Sequence, residues 1–310
     1  MKKILSLIIL LGSICILGSE IDSTQMESKN SIWYEKGKDS PYTGKSTSKY
    51  KETGKTRSEL NFQNGVVEGP SKGYYPDGKL RSEGTFKNGE KVGTWTHYYE
   101  SGKVKMTEEY RGRVCFVKEF FENGKTSFER SMKDELLNGP CIWYYESGTI
   151  KGKCNYVSDM IEGQETTYYE SGKVKSEYNY AKDLRNGVGK EYHENGKVSL
   201  ESNYKNDKKD GVYKEFYESG NLLGEVTYTN GIKNGTFKQH YDSQKKWMEG
   251  TYKNDKREGT FKEYYENGKV KVAATFKNDM LNGKVTAYDE EGKVVSQETF
   301  KNNEPITKKK

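Results

Sequence analysis

The side chains best suited to chemistry are few and scattered. Histidine occurs three times, at His97, His193 and His240, and cysteine four times, at Cys15, Cys115, Cys141 and Cys154. A zinc site needs such ligands clustered at short spacing, and neither set provides that. Glycoside hydrolysis needs two carboxylates facing each other in a cleft. The acids here instead recur beside lysines, as on a solvated, charge-laced surface. The word "KNDKKDG" (205–211) lacks the twelve-residue acidic pattern of a calcium loop. No G-x-x-x-x-G-K-[ST], H-R-D or D-F-G word occurs. The sequence therefore predicts no catalytic residue, no cofactor and no bound metal, and it points away from an enzyme.

What recurs is a tyrosine-rich word. "YYENGKVK" (264–271) is preceded by "YYESGKVK" at 98–105 and 168–175 and by "YHENGKVS" at 192–199. The glycines of these words fall at 54, 78, 102, 124, 148, 172, 196, 220, 268 and 292, and Gln244 fills the missing place. The step is 24 residues except once, between Gly102 and Gly124, where it is 22. A second series, from Gly69 and Gly93 to Gly283, precedes the first by nine residues, Gly44 belongs to it with one extra residue, and Cys115 replaces it in the short unit. A fixed period of this length marks a repeat architecture, here of eleven units.

With the turn glycine as position 0, position −4 is aromatic in every unit, counting His240, and position +8 in all but one, where Met132 stands. Position +2 is usually Val, Leu or Ile. Two short segments rich in Tyr, Phe, Val and Thr around a glycine turn predict a β-hairpin, and loops of the "KNDKKDG" type would join one hairpin to the next. The expected fold is all-β: tandem 24-residue hairpins forming one elongated, twisted antiparallel sheet, open and solenoid-like. Two registers compete. A two-residue turn sets −6 opposite +5 and −2 opposite +1, facing Lys72 with Glu83, Lys214 with Glu225, Lys238 with Glu249 and Glu100 with Lys103. A three-residue loop with a glycine bulge sets −4 opposite +2 and gathers the −4, +2 and +8 side chains on one face. The Ser or Thr before many turn glycines favours the bulged loop, since those residues resist the left-handed conformation that the two-residue turn demands.

The cysteines discriminate between the registers. Cys141 lies at −7 and Cys154 at +6 of one unit. The two-residue register places them directly opposite, about 4.5 Å apart at Cα and close enough for a disulfide. The bulged register puts them on opposite faces. Cys115 is left as a free thiol.

Only 32% of the chain is hydrophobic and 32% is charged, with a mean hydropathy of −1.05, close to a disordered composition. The 25 Tyr, 11 Phe and 4 Trp argue for order instead: stacked along a sheet, they supply a thin continuous core. Residues 1–19 read as a signal peptide, with Lys2 and Lys3 before an apolar run from Ile4 to Leu17 and small residues for cleavage near Ser19. Cys15 raises a lipoprotein alternative, against which stands Ile14 where a small residue is wanted; an uncleaved anchor is the third option. Without residues 1–19, 50 basic face 46 acidic residues, net +4, which gives no nucleic-acid signal. Residues 20–44 form a lead-in with a degenerate first repeat, residues 45–305 the tandem repeats, and residues 306–310 a basic tail.

One row stands out as a contact surface. Position −3 carries Tyr75, Tyr99, Phe121, Tyr145, Tyr169, Tyr217, Tyr241 and Tyr265. In the bulged register it faces away from the main aromatic face, among lysines and glutamates. It reads either as a second packed layer or as a partner surface, since tyrosine among charges suits interfaces. A protein partner leads, a glycan or envelope polymer is the rival, and an anionic membrane surface comes last because acids interleave the bases.

The unit "YYENGKVKxExxYKNDKxxG" resembles the MORN repeat variant, found in bacterial proteins often labelled YwqK-like antitoxins. The likeness covers residues 32–305. It implies tandem β-hairpins in an extended sheet. The related eukaryotic repeats imply protein scaffolding and membrane association, and the antitoxin label implies an intracellular toxin as partner. The expected function is an exported, non-enzymatic scaffold for protein–protein interaction, with glycan binding and an antitoxin-like role as alternatives.

Overall fold

The computed structural model describes residues 19–306; residues 1–18 of the leader, with Cys15, and residues 307–310 of the tail lie outside the described residues. The chain divides into two compact units between Gly124 and Lys125. Both are all-β, and in each the repeat strands follow one another in antiparallel pairing. Their hairpins run from Gly44–Lys49 to Val114–Phe120 in the first unit and from Thr126–Lys133 to Val294–Lys301 in the second.

Each repeat turns the chain twice, by different means. At the glycine, three residues form the loop: Gly78 N donates to Tyr75 O (2.9 Å), and Tyr75 N donates to Lys79 O (2.8 Å). Gly78 has φ +95°, a left-handed conformation that costs glycine least. Gln244 makes the same turn with φ +65°, its N donating to Tyr241 O at 2.9 Å. The "KNDKKDG" stretch is not a loop between hairpins but a second tight turn. Asn206 and Asp207 have φ +49° and +64°, and Lys205 pairs directly with Lys208. Two consecutive positive φ values are the signature of the two-residue turn that matches strand twist, and Asn and Asp tolerate it.

Both expected registers occur in the same hairpin. Next to the glycine loop, Val104 (+2) pairs with Tyr98 (−4), as in the bulged register. One residue later a bulge at +3 shifts the ladder: Met106 pairs with His97, and beyond it −6 faces +5 and −7 faces +6. Lys72 therefore faces Glu83, Lys214 faces Glu225, Lys238 faces Glu249, and Cys141 faces Cys154. Glu100 and Lys103 do not face each other; Glu100 lies in the loop, Lys103 closes it opposite Tyr99 (Tyr99 N to Lys103 O, 2.8 Å), and the Lys103 ammonium donates to Glu122 O at 2.7 Å.

The bulge overturns the expected common face. One extra residue flips every later side chain. The −4 aromatics share a face with −6 and +5: Tyr98 OH donates to Glu83 (2.7 Å) and Tyr192 OH to Glu177 (2.7 Å). The +8 aromatics turn to the other face, with −7 and +6, and there the core forms. Its buried members include Trp95, Val117, Cys141, Cys154, Tyr204, Val226, Phe261 and Ala274. Phe86 meets Trp95 edge-on at 4.8 Å, Phe261 meets Phe276 at 5.6 Å, and Tyr213 meets Tyr228 at 5.9 Å. Large residues sit against small ones: a Cβ on Gly84 would stand 2.2 Å from the Trp95 ring.

A single sheet leaves such a core bare on one side. Long side chains at −11 roof it. Lys91 lies 4.8 Å from the Trp95 ring centre, Arg185 4.5 Å from Tyr204, Lys209 3.6 Å from Tyr213 and Arg257 3.9 Å from Phe276. Burial holds the Lys209 ammonium below its ordinary pKa, and the facing rings supply the cation–π attraction.

The second glycine series marks another irregularity. In ordinary repeats +6 pairs with −7 but +8 pairs with −11, as in Val226 to Phe237 and Tyr228 to Lys233. Two extra residues thus bulge from the later strand, opened by the positive-φ glycine at −9. The short unit lacks this pair. Its ladder runs unbroken from Met106–Glu119 to Arg111–Val114. Cys115 can replace the glycine because no left-handed residue is needed there.

In the first unit the lead-in closes the sheet. Glu20–Asp22 adds a parallel strand to Gly44–Lys49. A capped 3-10 turn, Ser23–Gln25, follows, then the small hairpin of Met26–Lys29 with Ile32–Glu35. Met26, Tyr42 and Phe62 make a buried cluster, with Ile21, Leu60 and Val67 against it. Tyr42 OH donates to Lys45 O at 2.8 Å and also contacts Ser19 O.

Candidate partner-binding surface

The −3 row lies where the glycine turns line up along one border of each unit's sheet. The structure places all eight residues there, each half-buried. Their hydroxyls are engaged. Tyr75 OH donates to Tyr98 O (2.6 Å), Tyr99 to Phe120 O (2.6 Å), Tyr145 to Tyr168 O (2.8 Å) and Tyr169 to Tyr192 O (2.6 Å). Tyr217, Tyr241 and Tyr265 do the same to His240, Tyr264 and Tyr288 at 2.8, 2.7 and 2.9 Å. Each −3 side chain thus ties its loop to the −4 carbonyl of the next repeat. Phe121 has the ring without the bond. In the first repeat one additional loop residue moves Tyr50 into this role, and its hydroxyl reaches Tyr74 O at 2.7 Å. Burial raises the pKa of Tyr99 and Tyr241, so these hydroxyls remain donors.

Around the rings, the bulge residue at +3 supplies a cation. Lys105, Lys151, Lys175 and Lys271 lie 5.7, 5.5, 5.8 and 5.9 Å from the centres of Tyr99, Tyr145, Tyr169 and Tyr265. In the Gln244 repeat the cation is replaced by Trp247, 6.1 Å from Tyr241 and tilted by 37°. The lysine of the "GK" word reaches forward: Lys79 donates to Glu100 O (2.9 Å), Lys125 to Ser147 O (2.6 Å) and Lys173 to Glu194 O (2.7 Å). The acids at −2, such as Glu100, Glu146, Glu170, Glu194 and Glu218, are left exposed. Successive repeats are two strands apart, about 10 Å at ordinary strand spacing. The result is a row of fixed rings, most of them flanked by a carboxylate and an ammonium; in the Tyr217 repeat Asn221 and Leu223 stand where the lysines do elsewhere.

The opposite border is tied by side chains that sequence reasoning left out. Asp159, Asp183, Asp207, Asp255 and Asp279 sit in the two-residue turns. Each accepts from the backbone N of the repeat before: Leu137, Ile161, Arg185, Lys233 and Arg257 at 2.7, 2.5, 2.9, 2.7 and 2.8 Å. Arg185 and Arg257 add ion pairs to Asp207 and Asp279, both 3.1 Å, and the donated bonds, backbone first, lower both carboxyl pKa values. The recurring "ND" and "KD" words were the visible signal for this role.

The histidines have places of their own. His193 occupies a −3 position, and its Nε2 lies 2.9 Å from Phe216 O, so it substitutes for the tyrosine bond as well as its bulk. His97 Nε2 meets Glu108 at 3.0 Å, and Lys91 meets the same carboxylate at 2.9 Å. The His97 bond first, then Lys91, lower the Glu108 carboxyl to about 2. Among the described residues no group of three or more His, Cys, Asp or Glu converges to hold a metal. No helix there is long and apolar enough to cross a membrane.

The chain matches the MORN repeat variant family at residues 67–88, 91–111, 137–158, 161–182, 185–206, 209–230, 257–278 and 281–302. The intervals left out include the short repeat and the Gln244 repeat. No curated protein matches. Among solved structures, the chain is similar to the Photorhabdus luminescens Tc holotoxin pore carrying the TccC3-D651A mutation: 11% identity, 81% of this chain, 14% of that chain, TM-score 0.20. It is also similar to TcdB2-TccC3-TEV: 11% identity, 83% of this chain, 15% of that chain, TM-score 0.18. The chain therefore spans about one seventh of the length of either relative, and at these TM-scores the likeness carries no argument.

Proposed function

The chain belongs to the MORN repeat variant family, and from that premise we propose that it is a non-enzymatic β-repeat scaffold that binds a protein partner along the glycine-turn border. The observation that carries this reading is the −3 row. Its rings are fixed by hydrogen bonds to the next repeat, so ordering them costs a partner little. They alternate with exposed acids and lysines, the mixture that protein interfaces favour. The repeat presents the same contact at regular intervals, which suits an extended partner.

The lysines over the rings favour a protein over a glycan. A sugar stacks on a bare aromatic face, and in four repeats a lysine lies within 6 Å of that face. Export to the envelope or the exterior is part of the proposal, supported by the leader pattern of residues 1–19. An antitoxin-like role would need a cytoplasmic partner.

Crosslinking with mass spectrometry on native envelope and secreted fractions tests these together. The expected result is one partner protein linked at Lys103, Lys125, Lys173 or the adjoining loops. Linkage confined to the opposite border would sink the surface. Retention on cell-wall polysaccharide would favour the glycan reading, and recovery of the chain only from the cytoplasm would remove export.

A further inference from the structure

Cys141 and Cys154 stand directly opposite on the strands Leu136–Tyr144 and Ile150–Val157. Both are buried, with 2% and 6% of their surface exposed. In two other repeats this −7/+6 pair is a large residue facing a small one, Phe261 facing Ala274 and Phe237 facing Gly250. Here two cysteines face each other. The flanks of the pair are charged with opposite sign. Arg130 pairs with Cys141 from the preceding strand, and Glu165 acts on Cys154 from the following repeat.

We propose that Cys141 and Cys154 are a dithiol that a low-molecular-weight disulfide oxidises to a cross-strand disulfide as the hairpin closes. This inference is independent of the partner-binding reading.

The polarity of the row sets the order of steps. Arg130, paired with Cys141 across the strands, favours thiolate on Cys141. Glu165, in the following repeat, disfavours it on Cys154. The Cys141 thiolate attacks the donor R–S–S–R, forming Cys141–S–S–R and releasing RS⁻. That RS⁻ takes the Cys154 proton. The Cys154 thiolate then attacks the Cys141 sulfur and expels a second RS⁻, which takes a proton from solvent. Two electrons pass from the cysteines to the donor, and one disulfide is exchanged for another. The hairpin is local, so the sulfurs meet early in folding. Once formed, the bond is shielded from reductant by its burial.

Refolding the full chain in a glutathione/glutathione-disulfide buffer, followed by non-reducing peptide mapping, tests the pair. The expected product is a 141–154 linked peptide lighter by two hydrogen atoms, with a melting temperature that falls on adding reductant. Both thiols remaining open to alkylation would overturn the proposal, as would linkage of either to Cys15 or Cys115. In single variants refolded for short times, glutathione should attach to Cys141 in Cys154→Ser faster than to Cys154 in Cys141→Ser. Equal or reversed rates would overturn the order of steps.

Discussion

The first and last hairpins of the described chain are built from the same repeat and end differently. Gly44–Lys49 is covered on its outer side by the parallel strand Glu20–Asp22, and the neighbouring Phe62 is 6% exposed. Val294–Lys301 pairs along its length only with Met280–Tyr288, and Glu304–Pro305 touches just its far end. There Val294 and Val295 are 58% and 68% exposed. The repeat supplies half of what each strand needs, and the next repeat supplies the rest. Where no repeat follows, non-repeat sequence must do that work or the strand stays bare.

This contrast can be broken most directly in the apolar cluster. Phe62→Ala should cost about 3–5 kcal/mol, read as faster amide exchange across Gly44–Lys49 and Thr56–Gln63. Val295→Ala should stay within about 0.5 kcal/mol. Equal effects would mean that the lead-in does not seal its end.

A smaller loss is expected from backbone crowding. A Cβ on Gly44, at φ +150°, would lie 2.4 Å from Ser19 O and 2.6 Å from the Tyr42 hydroxyl. Gly292, at φ +84°, has only Lys269 Cδ nearby, at 3.7 Å. Gly292→Ala should cost about 1 kcal/mol for the left-handed turn alone, and Gly44→Ala clearly more. Thermal melts of the two variants give the comparison.

Smaller again is the tie between repeats. Tyr169→Phe removes a single hydrogen bond to Tyr192 O and should cost about 0.5–1.5 kcal/mol, seen as faster exchange in the strands on either side. Tyr265→Phe, whose bond reaches Tyr288 O beside the bare strand, should loosen only the last hairpin.

An effect of a different kind, set by pH, is that of acid on the interior pair. The Glu108 carboxyl is held down at about 2 in the folded chain. Its contribution is complete above the unfolded value of about 4.5 and fades as pH falls through about 2. Glu108→Gln should therefore melt lower than the parent at pH 7, and the gap should narrow toward pH 2. An unchanged gap would show that His97 and Lys91 do not hold the carboxylate.

Much of this was legible in the residues. The period and the three-residue glycine loop follow from spacing; the facing of Cys141 with Cys154 belonged to the competing two-residue register, because combining both registers takes a bulge that spacing does not reveal. The side chains that share a face did not. The residue at +3 varies from lysine, arginine and tryptophan to serine, leucine and valine and looks like any strand residue, yet as a bulge it reverses everything after it. The −3 row was legible as a row, but not as a set of bonds to the next repeat, because a hydroxyl's partner lies 23 residues away. The −11 cations looked like solvated charge. Only the folded sheet shows them lying on rings. The parallel strand Glu20–Asp22 carries no repeat signal at all.

The short repeat carries a lesson about copying. Dropping the two bulged residues before Gly124 left every aromatic on its own side, because a strand reads its faces in twos. A loss of one residue there would have turned the following rungs inside out. A chain grown by duplication can therefore drift in length at this joint in even steps and stay whole. Repeats of 24 and 22 residues can be spliced side by side, and a 23-residue version should be the combination that fails to join.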